Sequence, residues 1–114
     1  VKGRDLVSGI PKAIVVSSVD IRDAISEVVS EIVNGVLSLL ERTPPELASD
    51  IYDRGIMLSG GGGLLKGLDE RLRRETKLPV HIAEDPLTAV ARGTGKVLEN
   101  FAEYSSVLIK SSRY

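Results

Sequence analysis

Four consecutive glycines, Gly60 to Gly63, stand directly behind the apolar run Ile56-Met57-Leu58 and ahead of Leu64-Leu65. Glycine has no Cβ and enters positive-φ conformations freely, so a run of glycines lets backbone lie flat against a planar or anionic group. Four of them also surrender roughly 2 to 4 kcal/mol of conformational entropy if nothing uses them. A bare strand-to-helix turn rarely needs that many. The pattern points to a nucleotide on the loop, with Gly60, Gly61, Gly62, Gly63, Leu64 and Leu65 as the candidate binding residues.

Two familiar phosphate motifs are excluded. The dinucleotide fingerprint G-x-G-x-x-G fails in each register, since its last position falls on Leu65 from Gly60 and on Lys66 from Gly61, and Leu64 breaks the register from Gly62. The P-loop fails too: Gly95-Lys96 is followed by Val97, and Val90 stands where the first glycine belongs. If a nucleotide binds, this segment reaches only part of it. No other catalytic set is in view. His81, the one histidine, alternates with Val80 and Ile82 in a strand and is read as a face residue. Glu84 and Asp85 are adjacent, which suits helix capping, whereas acid/base work needs side chains converging from different elements. No catalytic residue and no metal site is assigned.

The elements that would position the loop follow from periodicity and punctuation. Val1–Leu6 and Ala13–Val16, with Ser8-Gly9 between them, suggest a hairpin over residues 1–17. From Ser18 the period becomes helical: Ile21, Ala24, Ile25, Val28, Val29, Ile32, Val33, Val36, Leu37, Leu39 and Leu40 form a wide apolar stripe, expected to be a core helix. Ser17 and Asp20 have capping-box spacing, and Thr43-Pro44-Pro45 ends the helix. A second helix is expected from an N-cap at Thr43 to about Asp53, stopping at Gly55. Next come a strand at Ile56–Leu58, the glycine loop, a helix from about Leu65 to Thr76 burying Leu65, Leu68 and Leu72, and a strand over Pro79–Ala83. A last helix, capped by Asp85-Pro86, runs to about Asn100. Strand, helix, strand, helix implies parallel strands in an α/β layer, and ligands collect at the carboxyl ends of such strands. The glycines sit at that end.

Bulk composition sets mild bounds. With 114 residues the chain is one domain or a piece of one. Fifteen basic against sixteen acidic side chains leave a net charge of -1, which lacks the electrostatic footprint of a nucleic-acid binder. Cysteine is absent, removing thiolate chemistry and fitting a reducing compartment. Apolar runs are too short to span a bilayer, so a cytoplasmic location is expected. The chain opens on Val1 in what looks like a strand, which suggests the C-terminal portion of a longer protein.

The segment from Thr43 to Asn100, TPPELASDIYDRGIMLSGGGGLLKGLDERLRRETKLPVHIAEDPLTAVARGTGKVLEN, resembles the C-terminal part of the MreB family of bacterial actins. Upstream, GRDLVSGIPKAIVVSS is similar to the hairpin preceding it in that family. The likeness covers Val1 to Asn100 and leaves out a tail, Phe101 to Tyr114. It implies an actin-like, ribonuclease H-like ATPase fold. Residues 1–17 would be the hairpin of an inserted small subdomain and 18–100 the C-terminal part of nucleotide-binding domain II. Within that superfamily the loop at Ser59 to Gly63 is the adenosine motif, so the resemblance gives Gly60 to Gly63 the adenine and ribose of ATP, with Leu64 and Leu65 beside the base. The helix carrying Ala89, Arg92, Gly93 and Gly95 would cross the interdomain hinge, and close packing would explain Gly93. Phosphate, Mg²⁺ and the hydrolytic residues would be held by hairpins outside this chain. The implied partners are further copies in filaments and the cell-wall elongation machinery at the membrane. A small-molecule or sugar kinase of the same superfamily is the alternative, and an interaction module a third, to which a tail face of Phe101, Tyr104 and Leu108 near Lys110 and Arg113 could contribute.

Overall fold

The computed structural model describes residues 1–108, and the chain divides into two units, Val1–Glu41 and the remainder from Arg42. Unit one opens with the hairpin. Strands β1 (Lys2–Arg4) and β2 (Pro11–Ala13) pair antiparallel, with Lys2 opposite Ala13 and Arg4 opposite Pro11. The second strand therefore precedes the expected Ala13–Val16. Asp5 sets the turn: its carboxylate accepts from the amides of Val7 (2.9 Å) and Ser8 (3.0 Å), and its carbonyl accepts from Gly9 (2.8 Å). Those bonds spend the loop on residues 5–10, so pairing resumes at Pro11, and Val15 is left fully exposed.

Helix α1 spans Ser18–Glu41, 24 residues or about 36 Å. Its start is the capping box read from the sequence. The Ser17 amide donates to Asp20 Oδ2 (2.7 Å) and the Asp20 amide donates to Ser17 Oγ (3.2 Å), so two otherwise orphaned donors are satisfied reciprocally. The expected core role is not met within this chain. Of the apolar stripe only Val33 is buried, while Ile21, Val28, Ile32 and Leu39 are exposed. Periodicity reports that a face is apolar; it does not say whether its partner is present.

The second unit carries the strand-helix order. Helix α2 (Pro45–Arg54) has Pro44 at its N-cap with no side-chain capping bond, one residue later than the expected Thr43 cap. Gly55 ends it at φ 80°, a left-handed value that glycine adopts without strain. Strand β3 (Ile56–Leu58) then pairs parallel with β4 (Val80–Ile82), Ile56 facing Val80 and Leu58 facing Ile82. Helix α3 (Leu68–Thr76) lies between them in sequence and packs on β4, giving the crossover predicted from element order. Leu68, Leu72 and Val80 are buried and form the core of this unit. Helix α4 (Ala89–Glu99) follows, three residues beyond the expected Asp85-Pro86 cap, and a single helical turn α5 (Phe101–Tyr104) succeeds it. Phe101 is exposed and Tyr104 half-buried; Lys110 and Arg113, invoked for a basic tail face, lie outside the described residues.

Candidate functional site: the glycine strip at the end of β3

Strand β3 delivers the chain to Ser59 at its carboxyl end, and the four glycines that follow are not equivalent. Gly60 turns the backbone at φ 75° and ψ -179°, the one left-handed residue of the four. Its amide donates to the Pro86 carbonyl (2.7 Å), which ties the glycine loop to the loop leaving β4. Gly61 to Leu64 then form a short 3-10 turn, with the Gly63 amide donating to the Gly60 carbonyl (3.2 Å). Helix α3 therefore begins at Leu68, behind the left-handed Gly67, and not at Leu65. A single 3-10 turn brings far less dipole to an anion than a full helix start would, so the loop is better suited to the uncharged end of a ligand.

Gly61 and Gly62 are exposed, Gly60 is half-buried and Gly63 is buried. A side chain at Gly63 would meet the Leu58 backbone at 3.3 to 3.4 Å, so this glycine is accounted for by its packing against β3. A side chain at Gly62 would meet nothing within 4 Å. Fold chemistry thus explains Gly60 and Gly63, and leaves Gly61 and Gly62 unexplained by any contact that a side chain would severely obstruct. What remains is a short ribbon of open backbone at a parallel strand's carboxyl end, where ligands of α/β sheets gather. Leu64 and Leu65 are both exposed beside it, at 54% and 39%, apolar surface of the kind that suits a purine.

Arg92 and Lys96 of α4 line a separate groove with Met57, Ala83, Glu84, Ala89 and Gly93, on the side of the sheet carrying Met57. Arg92 Nη1 donates weakly to the Glu84 carbonyl at 3.5 Å. The close packing expected at Gly93 is not found: a side chain there, or at Gly95, would enter open space. His81 is exposed on β4 opposite Met57, consistent with its reading as a face residue. Asp85 does not cap α4: Thr88 stands at the N-cap with no side-chain capping bond, and the Asp85 carboxylate accepts from Thr88 Oγ1 at 2.6 Å instead.

Sequence reasoning missed one neighbour of the loop. Leu87 Cδ2 lies 3.6 Å from the point where a Gly61 side chain would begin, although Leu87 is 66% exposed. A signal existed, because loops leaving the carboxyl ends of adjacent parallel strands must run side by side, and an apolar residue in a polar cap turn stands out there.

Comparison with known proteins agrees with this geometry. The profile of the MreB/Mbl protein family matches residues 1–106, six residues into the tail that the resemblance had left out. The cell shape-determining protein Mbl of Bacillus subtilis is 51% identical over 100 residues, 88% of this chain and 30% of that protein. Cell shape-determining protein MreB of Escherichia coli K12 is 52% identical over 99 residues, 87% of this chain and 28% of that protein. Among solved structures, MreB5 of Spiroplasma citri bound to AMPPNP superposes with a TM-score of 0.85 at 40% identity, over 93% of this chain and 32% of that one. The same protein bound to ADP matches equally well. The chain thus spans under a third of the length of these relatives, and the small-molecule kinase alternative finds no support among them. A parallel β3–β4 pair with its crossover helix, the glycine loop at the strand end and a match running through nearly the whole sequence together establish that the chain belongs to the MreB/Mbl family.

Proposed function

We propose that this chain is the part of a filament-forming, actin-like cytoskeletal ATPase that supplies the adenosine wall of its nucleotide cleft. The observation that carries the reading is the open Gly61–Gly62 backbone behind the Gly60 turn at the carboxyl end of β3, in a chain 40% identical to a protein whose structures are bound to AMPPNP and ADP. Gly60, Gly61 and Gly62 lie against adenine and ribose, Leu64 and Leu65 border the base, and Gly63 holds the strip to Leu58. Residues 1–17 belong to an inserted small subdomain and 18–100 to nucleotide-binding domain II. Phosphates, Mg²⁺ and the hydrolytic groups are handled by hairpins supplied from elsewhere in the full-length protein. The protein works in the cytoplasm, assembles with copies of itself, and maintains cell shape by guiding the cell-wall elongation machinery at the membrane.

The test is Gly61→Val in the full-length protein. A branched side chain on the strip occupies the space of the base, so ATP binding by calorimetry and ATP-dependent pelleting should both be lost. Pelleting at the parent level would remove the site. Gly62→Ala is the control for folding: its side chain meets nothing within 4 Å, so the thermal midpoint without nucleotide should stay within about 1 °C of the parent.

A further inference from the structure

We propose that Leu87 is the side wall of the base site, packing its isobutyl group on the edge of the purine and favouring purine over pyrimidine nucleotides. The inference rests on the reading of Gly60 to Gly62 as the base-binding strip and adds a residue from a different loop. Its first support is position. The Leu87 side chain stands 3.6 Å from the point where a side chain on Gly61 would start, so floor and wall meet at a corner.

The second support is that Leu87 has no role in the core. It is 66% exposed, while the unit is held together by Leu68, Leu72 and Val80. An aliphatic side chain left in water at a strand end gains most from a ligand that covers it. The third support is how firmly its turn is held. Asp85 adopts a left-handed backbone at φ 47°, a conformation uncommon outside glycine. Thr88 Oγ1 donates to the Asp85 carboxylate (2.6 Å), the Thr88 amide donates to the Asp85 carbonyl (3.1 Å), and the Gly60 amide donates to the Pro86 carbonyl (2.7 Å). The two Asp85–Thr88 bonds span Leu87, the Gly60–Pro86 bond anchors the residue before it, and none involves its side chain, so the turn is fixed at the spot where the leucine meets the strip. Leucine offers no hydrogen bond. Its preference comes from contact area alone, which two fused rings supply and one ring does not.

In the full-length protein, Leu87→Ala should raise the Kd of ATP and of ADP by the same factor, about tenfold, because the contact is at the base end that both share. CTP and inorganic tripolyphosphate should bind the variant as they bind the parent, Leu87→Met should restore most of the ATP affinity, and the nucleotide-free thermal midpoint should not move. If Gly61→Val abolishes ATP binding while Leu87→Ala stays within twofold of the parent, the wall is overturned and the strip survives. If both variants bind ATP like the parent, the strip fails and takes the wall with it. An equal loss for ATP and CTP would overturn the purine preference, and a Leu87→Ala protein that does not fold would make the residue structural and overturn the proposal.

Discussion

Gly55 shows how a single missing side chain can be required twice. It sits at φ 80°, and a Cβ there would be driven into the Pro79 carbonyl, beside the Ile56 amide bond to that same carbonyl (2.8 Å). Gly55→Ala should therefore cost on the order of 3 kcal/mol in urea denaturation of the full-length protein, well beyond an ordinary surface change. A loss under about 0.5 kcal/mol would show that β3 and β4 can part slightly at no penalty. The glycines were legible in the sequence as a loop of open backbone at a strand end. Their division of labour was not, because φ, burial and the Leu58 contact are properties of the folded neighbourhood, and Leu87 is separated from Gly61 by a whole crossover. Two carboxylates carry a pH signature. The amides of Ser8 and Val7 hold Asp5 below its ordinary range, and the Ser17 hydroxyl and then the Ser17 amide do the same for Asp20. Lowered folded-state values mean that the stabilisation is present above the unfolded carboxylate pKa and lost as pH falls through the lower folded one. Carbon-detected NMR titration should find both carboxyls protonating below the ordinary aspartate range, and Ser17→Ala should return Asp20 toward the usual value.

Among the elements, β4 has a guarded edge. Consecutive residues of a parallel strand turn their backbone groups to opposite sides, so Val80 and Ile82 face away from β3. Arg73 of α3 occupies that side, donating from Nη2 to the Val80 carbonyl (2.9 Å) and from Nη1 to Glu70 (2.7 Å). The guanidinium blunts an edge that would otherwise invite pairing. Arg73→Met keeps the aliphatic stem and removes the donor; it should cost about 1 kcal/mol in the same denaturation assay, and no change would mean that water replaces the guanidinium freely. The sequence made α1, β3, β4 and the capping box legible because each is encoded within a few residues. It misplaced β2, the start of α3 and the cap of α2, where an Asx turn, a 3-10 turn and the second of two prolines decide the boundary. Arg73 stands among the charged residues of α3, and nothing local in the sequence reveals that it reaches across to a strand.

At the level of the molecule, apolar surface is distributed as in a piece of something larger. The long helix exposes Ile21, Val28, Ile32 and Leu39, the hairpin exposes Leu6 and Val7 almost completely, and α4 exposes Val90 and Leu98. The 114-residue chain expressed by itself should self-associate in light scattering, and under the proposed function, which gives it one wall of a cleft and no phosphate contacts, it should bind ATP only weakly. A clean monomer, or sub-micromolar ATP affinity by calorimetry, would contradict this. The two-stranded sheet has a further consequence. With Ile56 and Leu58 both bonded toward β4, the Met57 amide and carbonyl point to the opposite side, where no third strand is found among the described residues. That one N–H is a built-in gauge of completeness: it should trade its proton for deuterium within seconds in the separate chain, and become orders of magnitude slower once an adjoining strand covers it.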